Sequence, residues 1–384
     1  MFKSPLIYFG KGAIGRIANL KGERALIVTD KKIRALGFLS ELEKHLKGKF
    51  SEIKTFDEVE PEPKDSTVSS CAEIAAAFKP DLFMGLGGGS PIDVAKGAFL
   101  LYERPDVKLA TVSPLVNYGL RKKARLVAIP TTSGTGSEVS IGLAVTDSKS
   151  GRKLTLTSFE LVPDVAILDP QLAFKMPPKL RADTGLDALV HAVESLLTKM
   201  SNQFTSASAI KAIQTVFRYL GQSYKTGNEI AMEEMHYAAS LAGSAMSYSG
   251  LGIAHSLGHA VGSAFHLPHG QAVGWALPYT IEYCTKTAKD KYLELLRAIG
   301  VEGATQESSA QKLLTAVKGL MTEIKEPTSI KDLEIDQDEF RSKIPTMAGF
   351  AAGDLCTFTS PRVPTTKEFT TILEYMTKDK PIDF

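Results

Sequence analysis

Cysteine is scarce. Cys71, Cys284 and Cys356 are the only three in 384 residues, and they are far apart and odd in number. They offer neither a disulfide framework nor a CxxC site, which fits a reduced, cytoplasmic setting. No segment supplies the roughly 18 uninterrupted apolar residues of a membrane helix. The opening stretch, MFKSPLIYFGKG, has no apolar run long enough for a secretory signal. Charge is nearly balanced, with 45 Lys and Arg against 43 Asp and Glu for a formal +2, so no global field favours nucleic acid or a membrane surface. The one short basic cluster, Arg121-Lys122-Lys123, reads as a solvated loop. What is present is an ordinary globular mixture, 43% hydrophobic and 23% charged, long enough for about two or three domains.

The first part of the chain alternates short apolar runs with helical stretches. Residues 25–30, 81–86, 126–131 and 164–168 are continuous apolar runs bounded by turn residues, as expected of strands buried on both faces of a parallel sheet. Residues 66–79 and 91–103 have helical length and spacing. Segments 139–147 and 153–158 are expected to form a hairpin around the polar turn 147–151. The pattern changes near Met176-Pro177-Pro178, after which no convincing strand occurs. Helices are expected over 185–198, 205–220, 229–248, 253–264, 288–299 and 308–323. The expected architecture is an α/β N-terminal domain with a Rossmann-like parallel sheet, residues 1–176, followed by an all-α domain, residues 177–384.

Two segments in the first part suit phosphate. In the first, an apolar run ends at Gly87, Gly88 and Gly89; Ser90 then stands as a helix N-cap, Pro91 as the first helical residue and Asp93 three positions after the cap. Glycines permit close backbone approach, and free amides at a helix start bind phosphate. The same residues would equally serve as a capped βα turn in any α/β protein, because the sequence is not G-x-G-x-x-G and lacks the acid about 20 residues later. An acid does follow an earlier strand: Asp30, placed to accept from a ribose 2′-hydroxyl or simply to end a strand. The second segment, Pro130 to Glu138, contributes Thr131, Thr132 and Thr135 at the end of another apolar run. Ligands collect at that edge of open α/β sheets.

The histidines are concentrated. Of seven, four lie within residues 255–269. Asp187 and His191 are four apart on an otherwise apolar helix and so share a face. Buried, they need partners. For Asp187 a capping box with Thr184 is the structural alternative, and for His191 a satisfied core imidazole. His255 and His259 repeat the i, i+4 spacing, and Phe265-His266-Leu267-Pro268-His269-Gly270 follows. Gly258 and Gly262 each weaken that helix by roughly 1 kcal/mol, so close packing or close ligand approach is expected there. One carboxylate with three imidazoles suits Fe²⁺ or Zn²⁺ with a position left for a substrate oxygen. The spacing lacks the glutamate of HExxH metalloproteases.

These residues resemble the iron-containing, group III alcohol dehydrogenases. The matching segments are Gly87 to Asp93, Pro130 to Glu138, Ala182 to Glu194, the His255–Gly270 block and the tail Ser360 to Thr365. The resemblance implies a nucleotide-binding α/β domain, a helical domain and an active site in the cleft between them. It implies metal ligation by Asp187, His191, His255 and His269, with Fe²⁺ first and Zn²⁺ acceptable, and a further active-site histidine at His259. Cofactor contacts are implied at Asp30, at Gly89 through Asp93, at Thr131 through Thr135, and at Lys153. Asp30 then favours NAD(H) over NADP. The implied protein is a homodimer acting on a small alcohol or aldehyde, without nucleic-acid or membrane partners. Departures occur at Glu62, Gly142 and Met246-Ser247-Tyr248, where the family often has asparagines, and His266 is an extra histidine. The changes at Met246–Tyr248 and Gly142 bear on the substrate pocket.

The expected chemistry is hydride transfer between the carbinol carbon and nicotinamide, with the metal as Lewis acid and His259 as proton relay. Two enzyme rivals remain at this point. One is a polyol or glycerol-phosphate dehydrogenase of related fold, and the other is a metal-dependent hydrolase of a phosphorylated substrate.

Overall fold

A computed structural model describes residues 2–149, 151 and 153–384 and divides the chain into two compact units, Met1–Lys175 and Met176–Phe384. The first unit contains strands β1 (Leu6–Phe9), β2 (Arg24–Val28), β3 (Glu52–Phe56), β4 (Leu82–Gly87), β5 (Arg125–Pro130), β6 (Gly142–Thr146), β7 (Lys153–Thr157) and β8 (Val165–Leu168). Its helices are α1 (Lys31–Ala35), α2 (Phe38–Leu46), α3 (Asp65–Phe78), α4 (Gly89–Glu103) and α5 (Pro170–Ala173). Six strands form one parallel sheet in the order β1-β8-β5-β4-β2-β3. Alternate side chains feed two apolar cores, one on each face. Leu26, Val28, Phe83 and Leu126 enter one core, and Ala25, Ile27, Met84, Val127 and Ile129 the other. This explains why the central strands are continuous apolar runs in sequence. At Gly85 a Cβ would lie 2.9 Å from the Cα of Ile92, so α4 rests directly on β4.

The expected hairpin exists as antiparallel β6 and β7, with Gly142 opposite Thr157. Its first strand begins at Gly142 rather than 139; the preceding loop is turned around a buried lysine instead. Ser150 of the expected turn lies outside the described residues. The cluster at 121–123 is not simply solvated. Arg121, at φ 72°, directs its guanidinium to Asp164 Oδ1 (2.7 Å) and to the carbonyls of Glu160 and Val162.

The second unit has no strand among its described residues. It comprises α6 (Pro178–Leu197), α7 (Gln203–Thr226), α8 (Glu229–Ser249), α9 (Ile253–Phe265), α10 (His269–Ala298), α11 (Ser309–Glu323), α12 (Gln337–Ala352), α13 (Leu355–Thr359) and α14 (Thr366–Met376). Helix α6 starts at Pro178, two turns before the expected 185, because proline is tolerated at a first helical position. The expected helix over 288–299 is only the end of α10, which runs for 30 residues through Pro278. An interior proline costs about 3 kcal/mol, and burial of Trp275, Tyr283 and Tyr292 along the same helix outweighs it. Helices α12 to α14 were not anticipated from the sequence. None of the described helices is long and apolar enough to cross a membrane.

Candidate functional site

In the first unit, the parallel register places three strand ends side by side. Gly87 pairs with Pro130, and the Thr131 amide donates to the Gly87 carbonyl (2.9 Å). Thr29 Oγ1 donates to the Leu86 carbonyl (2.8 Å), so Asp30, which follows, stands at the same edge. The glycines are needed there. Gly87 adopts φ 150°, and a Cβ would lie 2.6 Å from Pro91; at Gly88 and Gly89 it would crowd Thr132 and Thr135 at 3.3 and 3.0 Å. The turn and the threonine loop therefore interlock. The Thr131 hydroxyl is buried and has no hydrogen-bond partner, a polar atom suited to a ligand at this edge.

Two expectations about this turn are corrected. Helix α4 begins at Gly89 with Gly88 as N-cap, so Ser90 does not cap it and Pro91 is not its first residue. No side chain caps α4, which leaves its leading amides for a phosphate. Nor does Asp93 serve the helix start. Its two oxygens accept from Ser137 Oγ (2.5 Å) and the Ala144 amide (2.9 Å). Burial raises its carboxyl, and Lys96, Ser137, Ala144 and Lys153 each offset part of that. One turn on, the fully buried Lys96 donates to Ser140 and to the Gly142 carbonyl. Desolvation lowers its ammonium to about 8. Asp93 and Lys96 thus tie the loop after β5 to α4. Elsewhere, Asp30 Oδ1 caps α1 by accepting from the Ile33 amide (2.8 Å), and Lys153, at the start of β7, lies 3.7 Å from Glu62.

The second unit brings Asp187, His191, His255 and His269 together, all four ligand atoms lying within 4.8 Å of one another. Two glycines make this possible. A Cβ at Gly270 would sit 1.9 Å from the Asp183 carbonyl, so the start of α10 abuts α6 and carries His269 to Asp187. A Cβ at Gly258 would meet the Val273 backbone at 2.8 Å, so α9 and α10 are in close contact as well. Gly262 also faces α10, with the Ala272 Cβ at 3.3 Å. Packing is therefore the reason for both glycines of the histidine helix. The capping-box alternative for Asp187 fails, because Thr184 lies inside α6 and bonds the Leu180 carbonyl.

The geometry converges on one carboxylate oxygen. Asp187 Oδ1 lies 3.4 Å from His269 Nε2, 3.5 Å from His191 Nε2 and 3.9 Å from His255 Nε2. Asp187 Oδ1 and His255 Nε2 are buried without a hydrogen bond. Such atoms are costly unless something else satisfies them. Burial, and then repulsion from His191 and His259, holds the His255 imidazolium well below its usual range, so the ring is neutral and keeps a lone pair. A divalent cation fits this set of donors.

Two carboxylates escaped the sequence analysis. Glu194 Oε2 lies 2.7 Å from His255 Nδ1. Its signal was present, since it continues the Asp187–His191 stripe at i+7. Burial pushes its carboxyl up to about 7 against bonds from Gly252 and Ala254. Asp354 Oδ2 lies 2.8 Å from His259 Nδ1. Burial would raise the Asp354 carboxyl, but His259 and the Cys356 amide outweigh it and hold it at about 2. Asp354 is 95 residues from His259 in the chain and gave no local signal. The His259 ring stacks on His269 at 5.4 Å between centroids. His266 is exposed in a left-handed conformation that ends α9. Met246–Tyr248 form the last turn of α8, where Ser247 bonds back to the Gly243 carbonyl.

Comparison with known proteins gives a consistent result. The family described as iron-containing alcohol dehydrogenase matches residues 4–170, and the C-terminal part of the Fe-containing alcohol dehydrogenase family matches residues 181–377. The chain is 39% identical over 380 residues to an NADPH-dependent butanol dehydrogenase of Clostridium saccharobutylicum, covering 98% of both chains. It is similar to the iron-containing alcohol dehydrogenase of Thermococcus thioreducens, with a TM-score of 0.90 and 32% identity over 99% of this chain and 100% of that one. It also resembles a sulfoacetaldehyde reductase of Bifidobacterium kashiwanohense solved with NAD⁺, with a TM-score of 0.86 and 27% identity over 98% of each chain. The chain belongs to the iron-containing alcohol dehydrogenase family.

Proposed function

We propose that this alcohol dehydrogenase holds one divalent cation, Fe²⁺ ahead of Zn²⁺, on Asp187, His191, His255 and His269. It would use NAD(H), bound by residues 1–176, to interconvert a small alcohol and its aldehyde or ketone in the helical region 177–384. The observation that carries the reading is the buried, unpaired Asp187 Oδ1 with three imidazole Nε2 atoms at 3.4–3.9 Å. When bound, the cation supplies a Lewis acid for an alcohol or carbonyl oxygen, and the nicotinamide supplies the hydride acceptor or donor. His259 accepts the hydroxyl proton at Nε2 while its Nδ1–H stays on Asp354. The uncapped start of α4, with Gly87, Gly88, Gly89 and Ser90, takes the pyrophosphate, and Thr131, Thr132 and Thr135 close over it. Here Asp93 holds the loop rather than the cofactor.

Asp30 favours NAD(H), because its carboxylate repels a 2′-phosphate, although the Clostridium relative is named for NADPH. The names of the relatives make butanal and sulfoacetaldehyde sensible members of a substrate panel. A homodimer is supported by β1 at the sheet edge, where Leu6 and Phe9 are 56% and 71% exposed. A cytoplasmic setting is supported by three free, buried cysteines.

The test is anaerobic purification, metal analysis and absorbance of the reduced cofactor with Fe²⁺ and short aldehydes, NADH against NADPH. Metal-dependent loss of NADH absorbance is expected. One bound metal with no turnover on neutral aldehydes would move the substrate to a charged carbonyl. A protein that retains no metal under any supply would undo the four-residue site.

A further inference from the structure

Glu194 sits on α6, three residues beyond His191 and seven beyond Asp187, with 1% of its surface exposed. Both of its oxygens are engaged by α9. Oε1 accepts from the Ala254 amide (2.7 Å) in the first turn of that helix, whose own N-cap, Gly252, brings no side chain. A Cβ at position 252 would stand 2.7 Å from the same oxygen, so glycine is what lets the carboxylate reach the helix end. Oε2 meets His255 Nδ1 at 2.7 Å. On the far side of that ring, Nε2 is buried, unpaired and 3.9 Å from Asp187 Oδ1.

A neutral imidazole carries one N–H, and the bond made at one nitrogen decides the state of the other. A proton on Nε2 would have no acceptor within hydrogen-bond distance, Asp187 Oδ1 being 3.9 Å away, and Nδ1 would then oppose the lone pairs of a carboxylate. We propose that Glu194 is a positioning residue: it accepts a hydrogen bond from His255 Nδ1–H and thereby fixes the tautomer whose Nε2 lone pair faces the cation position. This deepens the metal reading and rests on it. The same carboxylate caps α9, so ring orientation and helix start are set by one side chain from α6.

Glu194→Gln separates the two duties. Its amide oxygen can still accept from Ala254, while its NH₂ then faces Nδ1 and drives the proton onto Nε2. The experiment titrates metal-free protein with Co²⁺, followed by visible absorption, with circular dichroism as the check on folding. Glu194→Gln is expected to bind Co²⁺ about 10–100-fold more weakly than wild type. Equal affinity in a folded variant would overturn the proposal. If wild type binds no Co²⁺ while Glu194→Gln behaves alike, the metal reading fails as a whole. If Glu194→Gln does not fold, ¹⁵N NMR of histidine-labelled, metal-free wild type decides: Nδ1–H at His255 supports the role and Nε2–H excludes it.

Discussion

At His259, one carboxylate selects what the ring can do. Asp354 meets Nδ1 at 2.8 Å and is itself fixed by the Cys356 amide (2.8 Å), so in the proposed mechanism Nε2 is the nitrogen left for a substrate proton. Replacing His259 by Gln should lower kcat about 10²–10⁴-fold, the usual range for a lost general acid or base, with the metal content unchanged. Asp354→Asn should lower kcat in the same direction, because an amide donor at Nδ1 inverts the tautomer. Steady-state kinetics beside metal analysis checks both. A His259 variant that lost its metal would place that residue among the ligands instead. His259 was legible in the sequence as half of an i, i+4 pair, whereas Asp354 was not, since no period connects residues 95 apart.

Between elements, small contacts set the geometry. Gly258 and Gly270 let α9 and α6 approach α10 to backbone distance. Gly258→Ala must force the Val273 backbone apart and should cost about 1–3 kcal/mol by overpacking, read as a lower urea midpoint at constant slope. Lys96 joins α4 to the loop before β6 through the Ser140 and Gly142 carbonyls. Lys96→Met removes the buried donor to the Ser140 carbonyl, while Ser140 Oγ can still donate to the Gly142 carbonyl (3.2 Å), and should cost about 1–3 kcal/mol. The pH dependence has a definite sign. Between pH 8 and the ordinary lysine value, the unfolded chain binds a proton that the folded chain has shed, so stability due to Lys96 rises with pH. The advantage of wild type over Lys96→Met should therefore widen across that window in urea titrations. Most elements were legible from periodicity, but their ends were not. The start of α6 and the single span of α10 depend on prolines whose effect is decided by position and packing.

Over the whole molecule, a cation that binds only the folded form adds to stability by mass action. Wild type saturated at about 100 times its Kd should gain about 2.7 kcal/mol, seen as a fall in Tm when a chelator is added and its recovery when Fe²⁺ or Zn²⁺ is restored. Asp187→Asn should abolish that difference, and an unchanged Tm in wild type would count against a resident cation. The fold class and the chemical character of the candidate ligands were legible in local information. Strand length and full burial imply a parallel sheet, a run of glycines implies close approach, and i, i+4 spacing places Asp187 with His191 and His255 with His259. What only the tertiary structure decided was which groups meet. His269 reaches Asp187 because Gly270 lets α10 abut the α6 backbone, Asp93 turns to Ser137 rather than to the helix start, and Glu194 and Asp354 meet the Nδ1 atoms of His255 and His259. The reason is physical: spacing along a helix or strand fixes the side on which a residue lies, whereas its partner depends on contacts between elements far apart in the chain.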